Sequence, residues 1–322
     1  MLSGAEVIQL NWVSWFLDWP SFFAKATNIH MPLVWRLSDT NPFTGGCHYP
    51  NGCERFTDHC GCCPQAGSDE ADDFSRKQFD LKKRLLAKVA SDRMTLVAES
   101  CWMKTLVSRS PLFSRFACKV IPNGVDSSVF FPVPHRIAKE ALGLDQDQPI
   151  ALFMGSEQSG RKGLPQLLPL FSQLGFGAVA ILLVGNYCDQ NSKAGNIRRY
   201  SATSSPDLLR LLYSAADLLL FPSLEDNCPN TILESLACGT PVLCFDGSGS
   251  VELIKEGVTG WSVPCKDFRQ FAEKTLSLLT SAELGVERRS ECVRVARDEF
   301  SYNRTVDLYE STYREASGIP TK

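Results

Sequence analysis

Two runs, AVAILLV (178–184) and DLLLF (217–221), constrain what this chain can fold into more than anything else in its 322 residues. A strand that is apolar without alternation has both faces covered, which is how strands of a parallel sheet flanked by helices read. With these two, the candidate strands lie at 6–12, 33–37, 94–98, 118–121, 150–154, 179–184, 217–221 and 241–245. Helical patterns fall between them, around 20–26, 75–92, 164–174, 207–216, 231–237 and 268–279. Strands alternating with helices over short connections predict a doubly wound α/β architecture. The stretch IPNGVDSSVFFPVP (121–134) breaks the rhythm with Pro122, Asn123, Gly124, Pro132 and Pro134, residues that favour turns and extended backbone. It marks a boundary between a domain at 1–122 and a second at 123–322.

The length suffices for two domains. A net charge of −3 gives no overall attraction to nucleic acid, so any steering of an anionic ligand is local. No apolar run approaches the roughly 20 residues needed to cross a bilayer. The start, MLSGAEVIQLNWVSWF, has no basic segment ahead of an apolar core, so a secretory signal is not expected. Thirteen cysteines then suit a reducing cytoplasm, as small buried hydrophobes or thiol ligands.

Chemistry concentrates in three loops that follow strands. In FPSLEDNCPNTILESLACGTPVLCF (221–245) a strand ends at Phe221, a polar loop carries Glu225, Asp226, Asn227 and Cys228, and a helix is expected to start near Thr231. Ligands of open α/β sheets bind beyond the carboxyl ends of strands, and a helix starting there offers N–H groups to an anion such as a diphosphate. Glu234, in the expected first turn, suits ribose hydroxyls, and Asp226 suits a sugar hydroxyl. Thr231-x-x-Glu234 also fits a capping box, and Asp226-Asn227 a turn that bonds its own backbone; neither needs a ligand. In FMGSEQSGRKGLPQLL (153–168) a strand ends at Met154–Gly155 and the loop leads to Arg161, Lys162 and Gly163. Adjacent cations there can neutralise a leaving diphosphate, although a solvated basic loop would read the same way. In FDGSGSVELI (245–254) Gly247 and Gly249 let backbone approach a ligand or simply make a tight turn.

Together the three loops resemble family 4 (group 1) glycosyltransferases of GT-B fold, of the bacterial polysaccharide-assembly type. PSLEDNCPNTILESLACGTPV resembles the family's donor loop and helix, in which an acidic residue is followed eight positions later by glutamate. Asp226 and Glu234 fall on those positions, with aspartate in place of the commoner glutamate. RKG resembles the phosphate loop, IPNGVD the interdomain segment, and LLYSAADLLLFPS the helix and strand leading into the donor loop. The resemblance implies two Rossmann-like doubly wound domains. It also implies transfer of a hexosyl group, with retention, from a nucleotide-diphosphate sugar to a glycan or lipid-linked acceptor. Lys162 and Asp226 become the catalytic residues, and Gly155, Arg161, Lys162, Asn227, Cys228, Glu234 and Gly247 the donor-binding set. No cofactor is required for catalysis. The family often has arginine after the glycine that ends its first donor-domain strand, where this chain has Ser156.

The first ~120 residues resemble only the later part of the family's acceptor domain, so the N-terminal domain is expected to be incomplete. A nucleotide-sugar-binding remnant with little transferase activity is the alternative. RLSDTNPFTGGCHYPNGCERFTDHCGCCPQ (36–65) resembles a segment of one bacterial group of sugar transferases, with Ser38-Asp39 where His-Asp is usual and Asn11 where histidine is frequent. Within the cysteine-rich insert 47–63, Cys47, Cys53, Cys60 and Cys63 offer four thiolates, enough for a structural zinc, with His48 and His59 as alternates. Unliganded thiols, or redox use of Cys60-Gly-Cys-Cys63, are the other readings. The stretch FSRKQFDLKKRLLAKVASDR (74–93) sets Arg76, Lys77, Lys82, Lys83, Arg84 and Lys88 against Phe79, Leu85, Leu86 and Val89. Such a helix suits peripheral contact with the cytoplasmic membrane face, or ordinary packing with a solvated basic face. A last helix at about 300–316 is expected to pack back on the N-terminal domain.

Overall fold

A computed structural model describes residues 5–14, 16–26, 31–155, 160–186 and 196–318, with the side chain of residue 282 left aside. The chain divides into two compact units, Met1–Pro122 with Thr305–Lys322, and Asn123–Arg304. The chain first passes between the units after Pro122 and returns to the N-terminal unit at Thr305.

In the N-terminal unit the described strands are β1 (Ile8–Leu10), β2 (Leu33–Leu37), β3 (Met94–Ala98) and β4 (Ala117–Val120). They are parallel and stand in sequence order across the sheet, with Trp35 opposite both Leu10 and Leu96. Alternation sorts the side chains: Leu33, Trp35 and Leu37 enter one core with Met94 and Leu96, while Val34 and Val97 point to the other face. Helices α1 (Trp19–Ala26), α2 (Phe74–Leu86) and α3 (Cys101–Arg109) precede or follow these strands. The face bearing Val34, Val97 and Ile121 is covered by Tyr309, Tyr313 and Ala316, from the part of the last helix that belongs to this unit.

Helix α2 ends at Leu86, three residues before Val89, the last residue of its apolar spacing. Asp73 caps its start by accepting from the Arg76 N–H, and Phe79, Lys82 and Leu86 face inward.

The second unit opens with α4 (His135–Ala141), followed by β5 (Ile150–Met154), α5 (Leu164–Gln173), β6 (Ala180–Val184), β7 (Ile197–Tyr200), α6 (Pro206–Ala215) and β8 (Leu218–Phe221). It continues with α7 (Asn230–Ala237), β9 (Val242–Phe245), β10 (Gly260–Val263), α8 (Phe268–Leu279) and α9 (Val286–Glu299), and α10 (Tyr302–Ser317) is the last helix. Its parallel sheet runs β10-β9-β8-β5-β6-β7. Ile150, Leu152 and Leu182 pack on one face, Ala151, Phe153 and Ile181 on the other, and β6 is buried along its whole length. From β5 the chain builds outward through β6 and β7, then returns to β5's other side with β8 and builds the opposite way. The order therefore reverses between β5 and β8, and the crevice at their carboxyl ends is where an open α/β sheet takes a ligand.

Candidate functional site

The loops after β5 and β8 meet at that reversal. Lys162 Nζ lies 2.7 Å and Arg161 NH1 3.0 Å from the same oxygen, Oδ2 of Asp226. Ser223 donates to that oxygen at 3.2 Å. Arg161 also donates to the Glu225 carbonyl at 2.5 Å, and its own carbonyl accepts the Leu224 N–H at 2.9 Å. The third loop joins through the Gly249 N–H, 2.9 Å from the Asp226 carbonyl. Gly163 makes the approach of the first two loops feasible: at φ +76° it turns the chain into α5, and a Cβ there would lie 2.2 Å from the Pro222 carbonyl oxygen. Burial pushes the Asp226 carboxyl up, but Lys162 and Arg161 outweigh burial and hold it below the ordinary carboxylate range. Two cations converge on one buried carboxylate, a setting in which an anion meets preorganised charge.

Glu234 sits elsewhere than the capping box requires. Pro229 occupies the N-cap of α7 with no side-chain capping bond, so Glu234 falls in the second turn rather than the first. Its Oε2 instead accepts from the Tyr213 hydroxyl at 2.7 Å. Burial raises the Glu234 carboxyl above the ordinary range, and the Tyr213 bond draws it only part of the way back. Glu234 lines a cavity of about 80 Å³ with Gly124, Asp126 and Asn230. The Asp226 carboxylate is likewise bonded to side chains of another loop, Arg161 and Lys162.

Cys228, expected at the donor, is buried, and its sulfur and carbonyl take the backbone N–H and the side-chain amide of Asn123 at 3.3 and 2.9 Å. Asn227 is buried beside it. Gly155 ends β5 with its N–H on the Val184 carbonyl at 2.9 Å and lies next to Lys162. Gly247 holds φ +80°, a conformation that disfavours a side chain. Ser156 lies outside the described residues. Ser223 and Tyr213 were not read as site residues from sequence. Both stand in LLYSAADLLLFPS, whose polar residues among apolar ones were the available signal.

The N-terminal unit gathers polar groups just past the carboxyl ends of β2 and β3. His48 Nδ1 lies 2.6 Å from Asp39 Oδ2, which also accepts from Trp12 Nε1 at 2.9 Å. Ser38 and Arg36 both donate to Oε1 of Glu99, at 3.1 and 2.6 Å. Burial raises the Glu99 carboxyl despite Arg36. An imidazole thus reaches Asp39 from nine residues along the chain, although position 38 is serine.

Cys47, Cys53, Cys60 and Cys63 line one cavity of about 410 Å³, with Phe56 and Phe74. All four are free thiols, and Cys60 accepts the Gly45 N–H at 3.1 Å. Among the described residues no group of three His, Cys, Asp or Glu side chains is placed to hold a metal ion. His48 is engaged with Asp39, and His59 pairs with Asp58 at 2.7 Å. Burial pushes the Cys60 thiol up to about 11.

The basic face of α2 is smaller than its sequence implies. Lys82 is buried and donates to the Asn41 and Thr44 carbonyls at 2.5 and 3.0 Å, because its position coincides with the inward stripe of Phe79 and Leu86. Desolvation lowers its pKa to about 8. Lys77, Lys83 and Arg84 on α2, and Lys88 beyond its end, are exposed. No helix among the described residues is long and apolar enough to cross a membrane.

Residues 148–281 match the family model described as glycosyl transferases group 1. The D-inositol 3-phosphate glycosyltransferase of Mycobacterium avium (strain 104) is 28% identical over 211 residues, covering 61% of this chain and 49% of that protein. The chain spans about half the length of the curated relatives it matches. Sucrose-phosphate synthase from Thermosynechococcus elongatus superposes with a TM-score of 0.76 at 19% identity, over 98% of this chain and 74% of that one. Anabaena Alr3699/HepE in complex with UDP gives 0.70 at 17% identity, over 96% and 79%. These likenesses identify the α/β architecture with its two parallel sheets as GT-B.

Proposed function

We propose, from the match of residues 148–281 to the group 1 glycosyl transferase model, transfer of a hexosyl group from a nucleotide-diphosphate sugar, with retention of configuration, to a glycan or lipid-linked acceptor. The observation that carries this reading is the convergence of Lys162, Arg161 and Asp226 at the strand-order reversal between β5 and β8. UDP in the complex of the structurally similar Anabaena protein supports a nucleoside diphosphate as the leaving group.

In this reading the bond from the anomeric carbon to the diphosphate breaks as the acceptor oxygen bonds to the same face, and the acceptor's proton leaves with the nucleoside diphosphate. Charge develops on the diphosphate, so fixed cations matter most, and Lys162 and Arg161 supply them. The bonds described for Asp226 fall on Oδ2, so Oδ1 is the atom we assign to a sugar hydroxyl. Glu234 receives the ribose hydroxyls. Gly155 and Gly247 leave room for the donor, and Cys228 and Asn227 shape its loop from beneath. The Asp39–His48 pair and the exposed Trp12 suit a polyhydroxyl acceptor, which they meet with hydrogen bonds and a ring face. A structural zinc on Cys47, Cys53, Cys60 and Cys63, which would require these thiols to draw together from their described positions, and contact of the exposed cations of α2 with an anionic membrane, are further parts of the proposal.

The test incubates the protein with UDP-, GDP- and ADP-hexoses and a membrane extract as acceptor, and reads the anomeric configuration of the product by NMR. A product of retained configuration is expected. An inverted product would remove the retaining mechanism, and donor binding without any product would favour a binding protein over an enzyme.

A further inference from the structure

Resting on that donor reading, we infer that Tyr213 is a positioning residue for ribose recognition, its phenol orienting the Glu234 carboxylate toward a ribose diol. Tyr213 projects from α6 with 1% of its surface exposed, and its ring meets that of Phe130 edge-to-face with centroids 6.3 Å apart. A phenol buried this completely needs a hydrogen-bond partner, and it finds one in a charged group on the neighbouring helix, Glu234 Oε2 at 2.7 Å. With Oε2 taken, Oε1 is the carboxylate atom left to accept two neighbouring hydroxyls, beside the small cavity formed with Gly124, Asp126 and Asn230.

The same bond acts on protonation. A protonated Glu234 would turn an acceptor into a donor and lose its match to a diol. Burial favours that neutral form, and the Tyr213 hydroxyl opposes it. Removing the hydroxyl therefore moves the acid loss of nucleotide binding to higher pH.

The full chain is titrated with UDP, GDP and ADP, then with the 2′,3′-dideoxy form of whichever binds. Tyr213→Phe is expected to weaken the ribonucleotide about tenfold and the dideoxy nucleotide by less than about twofold. The acid midpoint of ribonucleotide binding should rise, and Tyr213→Phe should add nothing in a Glu234→Gln background. An equal loss for both nucleotides, or an undiminished ribose preference, overturns the inference while leaving the donor reading intact. Absence of binding by the unaltered protein overturns both. Should Tyr213→Phe melt before titration, Glu234→Gln alone must abolish the ribose preference, and its failure to do so overturns the inference.

Discussion

In the C-terminal unit the strand order reverses between β5 and β8, whereas β1 to β4 of the N-terminal unit follow one another across their sheet. The reversal splits the loops after β5 and β8 to opposite sides and opens a crevice between them. Arg161, Lys162 and Asp226 converge there, and three loops are tied together by backbone hydrogen bonds. In the N-terminal unit the described strands offer no such crevice. Its polar groups pair locally instead, Asp39 with His48 and Glu99 with Arg36. A doubly wound sheet thus concentrates charge where its winding changes direction, while a sequentially ordered one distributes it along the strand ends.

Glycine substitutions probe this difference with the largest expected effect. Gly163→Ala places a Cβ 2.2 Å from a backbone oxygen at φ +76°, so the crevice cannot keep its geometry. A loss of about 3 kcal/mol or more in unfolding free energy is expected, together with loss of nucleotide binding. Gly67→Ala in the N-terminal unit has φ +60° but nothing within 4 Å, and should cost only about 1–2 kcal/mol. Denaturant unfolding of both variants checks the pair, and equal losses would erase the distinction.

The thiol cavity gives a smaller effect. With a structural zinc on Cys47, Cys53, Cys60 and Cys63, elemental analysis of purified protein should find about one zinc per chain. Cys60→Ser or a chelator should then lower Tm by roughly 5 °C or more. Metal-free protein with an unchanged melt would leave the thiols as unliganded cavity walls.

Much of the fold was legible because apolar runs report burial on both faces: the strands at 33–37, 94–98 and 150–154 fall where the sequence put them. β7 (IRRY) and β10 (GWSV) escaped because they are the edges of the larger sheet and lack a continuous apolar run. Helix α4, HRIAKEA, is too short to display a period. Within the site, the motif spacing brought out Lys162, Asp226 and Glu234 as chemically special residues. It could not reveal that Asp226 faces both cations, since loop conformation sets that contact. Nor could it place Tyr213 on Glu234, because the two residues stand 21 apart on different helices. The capping-box spacing misled for a local reason: Pro229 takes the cap and moves Glu234 into the second turn.

The most direct test of a diphosphate site at the β5/β8 reversal is equilibrium titration of nucleoside diphosphates against the unaltered protein, Lys162→Ala and Asp226→Asn. Lys162→Ala removes a charge-assisted contact and should weaken binding roughly 10- to 100-fold. Asp226→Asn releases both cations from their carboxylate, so binding should hold or tighten. Nucleoside-diphosphate affinity unchanged by Lys162→Ala, or abolished by Asp226→Asn, would contradict the site.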